Sequence, residues 1–117
     1  MRNQEPENPI QTTLRILGGK WKPMILWHLH KSTLRFSELQ KAIPAVSQKM
    51  LTQQLRELEQ DGLVARTVYA EVPPRVEYSL HVYAQKAKPV IEAMAAWGKQ
   101  HQQLSGDTPT PCPDTGR

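Results

Sequence analysis

A chain of 117 residues, 38% of them hydrophobic, suffices for one domain with one core, and its single cysteine excludes an intrachain disulfide. No apolar run reaches membrane-spanning length and no signal-peptide pattern opens the chain, so a cytoplasmic protein is expected. The formal charge of +4 and pI near 9.4 suit a polyanionic partner, and between Asn8 and Ser37 lie Arg15, Lys20, Lys22, Lys31 and Arg35 with no acid among them.

Residues 1–8 are expected to be a flexible N-terminus. Ile10 to Leu17 reads as a helix with Pro9 in its first turn, broken by Gly18-Gly19. A second helix is predicted from Trp21 to His30, with Pro23 near its start and Trp21, Ile25, Leu26 and Leu29 on its buried side. Arg35-Phe36 reads as a minimal strand. Ser37 is the expected cap of a short helix anchored by Leu39, with Ala42 and Ile43 behind, and Pro44 ends it.

Ser47 stands where an N-cap belongs, ahead of a helix from Gln48 to Gln60 that contains no Gly or Pro. Leu51, Leu55 and Leu58 form its buried stripe, and Gly62 supplies a left-handed ending. Gln48, Lys49, Thr52, Gln53 and Arg56 project from the other face. These residue types read base edges: Gln pairs with adenine, Arg or Lys with guanine, and Thr touches the thymine methyl. The acids Glu57, Glu59 and Asp61 come late, away from the helix N-terminus that meets DNA. Such a face alone also suits a solvated amphipathic helix. The flanking elements favour the reading helix.

Leu63 to Ala70 is rich in strand formers. In the next strand Val76, Tyr78 and Leu80 alternate with Arg75, Glu77 and Ser79, which predicts one dry face. Between the strands, Glu71-Val72-Pro73-Pro74 is a stiff hairpin tip with Arg75 at its base, suited to a phosphate or a minor groove. The last helix is expected from Val82 to Gln103, weakly capped by His81 and kinked at Pro89. Its apolar residues Tyr83, Val90, Ile91, Met94 and Trp97, with Ile10 and Leu14 of the first helix, form the expected interface of a homodimer. Residues 105–117, with Cys112, read as a disordered tail.

The order of elements predicts a mainly α protein with a small β-wing, a winged helix-turn-helix spanning residues 9–104. Its candidate contacts with double-stranded DNA are Ser47, Gln48, Lys49, Thr52, Gln53 and Arg56 on the reading helix, and Arg35, Ser37, Pro74 and Arg75 around it. No catalytic constellation is visible. His28, His30, His81 and His101 lack ligand spacing, so neither a metal nor a cofactor is expected. A small apolar effector between the terminal helices, against Trp21, Trp27, Tyr83 and Met94, competes with plain hydrophobic core.

Several segments resemble the HxlR family of bacterial winged-helix regulators: Leu17-Gly18-Gly19-Lys20-Trp21, Arg35-Phe36-Ser37-Glu38-Leu39, Ile43-Pro44, the run from Ser47 to Glu59, Asp61-Gly62-Leu63-Val64, and the wing from Tyr69 to Leu80. Pro89-Val90 and Trp97-Gly98 complete the match, which covers roughly Pro9 to Gly98. The resemblance implies a homodimeric cytoplasmic transcriptional regulator, with terminal helices forming the dimer and repression by steric block as the expected mechanism. Many members carry a cysteine before the N-terminal proline, and some use it to sense oxidants or electrophiles. Here that place is Asn8. Two other readings remain open: a winged-helix module that binds protein, and a weakly specific nucleic-acid binder.

Overall fold

The structure is a computed structural model that describes residues 6–104. The expectations for the 105–117 tail, for Cys112 and for residues 1–5 lie outside the described residues.

Helix α1 is Pro9–Leu17. Asn8 caps it: the side-chain oxygen accepts from the Ile10 N–H at 2.8 Å, while Gln11 Oε1 accepts from the Asn8 N–H at 3.2 Å. The two glycines that follow are needed for different reasons. Gly18 donates to the Leu14 carbonyl at 2.8 Å, and a Cβ there would stand 2.1 Å from that oxygen. Gly19 has φ +89°, a left-handed conformation. Helix α2, Lys22–Lys31, then turns Ile25, Leu26 and Leu29 into the core.

Strand β1 is Leu34–Arg35, one residue earlier than the sequence suggests, and helix α3 is Phe36–Ala42. Ser37 lies inside that helix and does not cap it. β1 pairs with the wing through Arg35, so the chain stays extended up to that residue, and Glu38 accepts from the Arg35 N–H at 2.7 Å.

Helix α4 is Gln48–Gln60, with the predicted bounds. Ser47 Oγ accepts from the Met50 N–H at 3.0 Å. At the other end the Leu63 N–H reaches the Leu58 carbonyl and the Gly62 N–H reaches Glu59, with Gly62 at φ +80°. Leu58 and Leu63, buried together, complete this Schellman ending.

Strands β2, Val64–Tyr69, and β3, Arg75–Leu80, form the wing, and the antiparallel sheet has the order β1-β3-β2. All of β3 is half-buried rather than alternately dry and wet. Being central, it has side chains on both flanks: Arg35 and Thr67 stand either side of Glu77. The His81 N–H donates to the Leu63 carbonyl at 2.9 Å, tying the end of the wing to its start.

The last helix does not begin at Val82, and Pro89 stands at its start rather than inside it. A 3₁₀ segment runs from Val82 to Ala87, and helix α5 is Lys88–Leu104. Pro89 falls in the first turn of α5, where a missing N–H costs nothing; inside a longer helix its ring would strike the carbonyl four residues earlier. His81 caps the 3₁₀ segment, its Nδ1 accepting from the Tyr83 N–H at 3.1 Å.

The core joins Leu51, Leu55 and Leu58 of α4 to Ile25, Leu26 and Leu29 of α2, to Leu39 and Ile43, and to Val64 of the wing. Burying one such side chain stabilises the fold by roughly 1.5–3 kcal/mol. This packing holds α4 by one face and leaves the other outward.

Candidate nucleic-acid interface

Gln48, Lys49, Thr52, Gln53 and Arg56 line one open concavity of about 620 Å³ on the outer face of α4. All are exposed. Their spacing at i, i+1, i+4, i+5 and i+8 puts them on one side of the helix, opposite the leucine stripe. Thr52 Oγ1 donates to the Gln48 carbonyl at 2.9 Å, so its hydroxyl proton is already used within the helix. Ser47 precedes the helix, with its oxygen engaged as the cap.

The late acids are handled in two ways. Glu57 is held by Lys22 of α2, Nζ to Oε1 at 2.8 Å, and also accepts from Gln53 Nε2 at 3.3 Å. Lys22 above all, then Gln53, keeps its carboxyl below the usual carboxylate range. Glu59 lines a second concavity of about 380 Å³ with Thr52, Leu55, Arg56, Arg66 and Tyr78. Thr52 and Arg56 belong to both concavities, so the second continues the outer face of α4 towards the sheet.

Arg66 was not legible as a site residue in the sequence. The signal is its register: Arg66 pairs with Tyr78 in the sheet, which places both on the face that meets α4. Among the described residues, Lys49, Arg56 and Arg66 make no ion pair.

The wing differs. Arg75 donates to Glu77 Oε2 at 2.6 Å and to Glu71 Oε2 at 3.0 Å, and its guanidinium lies 3.9 Å from the Tyr69 ring centre. The Glu71 bond raises its pKa, desolvation opposes that, and Glu77 adds to it. Pro74 is exposed at the tip, beside Val72, which is fully exposed. Arg35 and Ser37 are exposed at the start of α3.

Of the side chains expected at a dimer interface, Ile10, Leu14, Tyr83, Val90, Met94 and Trp97 are all at least 40% exposed. Ile91 is different. It turns inward, is 5% exposed and belongs to the core of its own chain. The residues suggested for an effector do not share one cavity. Trp27 and Met94 line a groove of about 280 Å³ between α2 and α5, whereas Tyr83 lines one of about 270 Å³ between α1 and the 3₁₀ segment. Trp21 packs against the core and borders neither.

Among the described residues no cluster of His, Cys, Asp or Glu could hold a metal ion. None of their helices is long and apolar enough to cross a membrane.

Residues 16–105 match the model of the HxlR-like helix-turn-helix family. The HTH-type transcriptional regulators YdeP and YtcD of Bacillus subtilis, both uncharacterised, are 50% identical over 94 residues and 48% identical over 100 residues. The first alignment covers 80% of this chain and 73% of YdeP, the second 85% and 79% of YtcD. Among solved structures, the redox regulator HypR in its reduced form superposes with a TM-score of 0.80 at 40% identity, over 86% of this chain and all of the other. The HTH-type regulator ytcD superposes with a TM-score of 0.78 at 46% identity, over 83% of this chain and 99% of the other. With the winged fold and the outward face of α4 already described, these matches show that the chain belongs to the HxlR-like helix-turn-helix family, whose members are DNA-binding transcriptional regulators rather than enzymes.

Proposed function

We propose that this protein is a cytoplasmic homodimeric repressor that binds a pseudo-palindromic operator. The observation that carries the reading is the single concavity formed by Gln48, Lys49, Thr52, Gln53 and Arg56, with no acid between them. α4 enters the major groove by its capped N-terminal half, and these side chains meet base edges. Arg66 approaches a flanking phosphate, while Arg35, Ser37, Pro74 and Arg75 lie along the backbone and the adjacent minor groove.

The exposed apolar residues of α1, the 3₁₀ segment and α5 support the dimer, since a monomer rarely leaves such a face to water. Two-fold symmetry then presents two copies of α4 to successive major grooves, about 34 Å apart. An operator-bound dimer blocks polymerase sterically.

The test is binding of the purified chain to duplexes tiled across its own gene's upstream region, with excess nonspecific competitor and at two salt concentrations. A fragment that survives competition and gives a two-fold symmetric footprint is expected. Uniform binding erased by salt would leave only a nonspecific binder. Absence of binding together with a stable hetero-complex would favour a protein-interaction module.

A further inference from the structure

Gln53 is connected to the interior of the domain through two linked contacts. Its Nε2 donates to Oε2 of Glu57 at 3.3 Å, one helical turn on. The other carboxylate oxygen, Oε1, takes the Lys22 ammonium from the first turn of α2 at 2.8 Å. The Lys22 side chain is 13% exposed and that of Glu57 39%, so the pair is shielded on the lysine side and reaches water on the carboxylate side. It ties the start of α2 to the flank of α4 that carries Gln53.

The chemistry of that chain constrains the amide. A carboxylate offers only acceptors, so the end of Gln53 that faces Glu57 must be the NH2 group. The assignment does not depend on how the amide is drawn. Nε2 spends one of its two hydrogens on Glu57. The outward edge keeps Oε1 as acceptor and the second N–H as donor. Adenine presents the matching pair in the major groove, N6–H as donor and N7 as acceptor. Guanine presents two acceptors, thymine an acceptor and a methyl, cytosine a lone donor. Without Glu57 the amide could rotate freely and offer either end. Without Lys22 the carboxylate would lose its fixed position and stand uncompensated near DNA phosphates.

We propose that Lys22 and Glu57 are positioning residues that fix the amide of Gln53 in the orientation that reads adenine. The inference rests on α4 being the reading helix. It adds two specificity determinants that do not themselves touch a base.

The experiment uses the full chain and a library of duplexes randomised one position at a time across the operator, with bound fractions sequenced. Gln53→Ala identifies the position that Gln53 reads. Glu57→Ala and Lys22→Met are expected to lower the preference for adenine at that same position about tenfold, the scale of one bidentate contact. Preferences elsewhere should hold. Lys22→Arg should restore the preference, and adding Glu57→Ala to Gln53→Ala should remove nothing further. Thermal midpoints are measured alongside, and Glu57→Met, which keeps the volume and removes the acceptor, serves if the alanine variant fails to fold. An even loss of binding to every sequence would overturn the proposal, because it marks a purely structural ion pair. A Gln53 position that prefers another base, or that ignores Glu57 and Lys22, would also overturn it. If Gln53→Ala changes no position at all, the reading face itself is wrongly assigned and the inference falls with it.

Discussion

The reading helix and the wing each present an arginine, and the two are in opposite states. Arg56 is exposed in an open concavity and makes no ion pair among the described residues. Arg75 is held by two carboxylates and stacked on Tyr69. The difference teaches that a charge counted in a sequence is not a charge offered to a ligand. On a DNA-bound helix, Arg56 would reach a guanine without first breaking any ion pair among the described residues. Arg75 must first exchange Glu71 or Glu77 for its new partner, and the net gain is smaller. The helix should therefore dominate discrimination, with the wing as a modest adjustment.

The largest expected effect breaks both regions together. Leu51 is fully buried beneath the reading face and packs on the core that also holds the wing. Leu51→Ala should destabilise the domain by about 2–5 kcal/mol, read by chemical denaturation, and should lower the occupancy of helix and wing contacts alike. A loss below about 1 kcal/mol would mean that α4 is not anchored by its leucine stripe.

Next in size is the reading face alone. Gln53→Ala combined with Arg56→Ala should remove about 1–3 kcal/mol of base discrimination per lost contact while leaving the thermal midpoint near wild type. Footprints like wild type from this double variant would show that the face lies elsewhere. Smaller again is the cap. Ser47→Ala leaves the Met50 N–H without its partner at 3.0 Å and should cost about 1 kcal/mol of stability. Its effect on DNA binding should follow from fraying of the first turn, so that affinity recovers on cooling.

How much of this was legible depends on whether the signal was local. The bounds of α4 were, because Ser47, the leucine spacing and Gly62 each act within a few residues of themselves. The register of the short elements was not. Ser37 looks like a cap in isolation, but the pairing of Arg35 with Glu77 decides where the strand stops and the helix starts. Pro89, placed inside one long helix, predicts a kink, but a proline is equally at home in the first turn of a fresh helix, where the structure has it. The preceding 3₁₀ segment settles the matter. Among the candidate site residues, the face of α4 follows from helical period alone. Arg66, and the pairings of Arg75 and Glu57, depend on cross-strand and interhelical neighbours that spacing does not reveal.

The smallest effect separates the two arginines most sharply. Glu71→Gln with Glu77→Gln would remove both charges that hold Arg75, and so loosen its hold, without changing the size of either side chain. The released guanidinium should gain one phosphate contact, and the slope of log binding constant against log salt should steepen by about one. Affinity at low salt should rise severalfold. Removing two acids would also increase general attraction to DNA, so the same pair of substitutions must be made in an Arg75→Ala background. That background isolates the general term, and only the excess in the Arg75-containing protein reports the release. Losing the exposed Glu71 contact should change stability little, and losing the half-buried Glu77 contact should cost more. If both backgrounds steepen equally, Arg75 never reaches DNA, and its role is to brace the base of the hairpin against Tyr69.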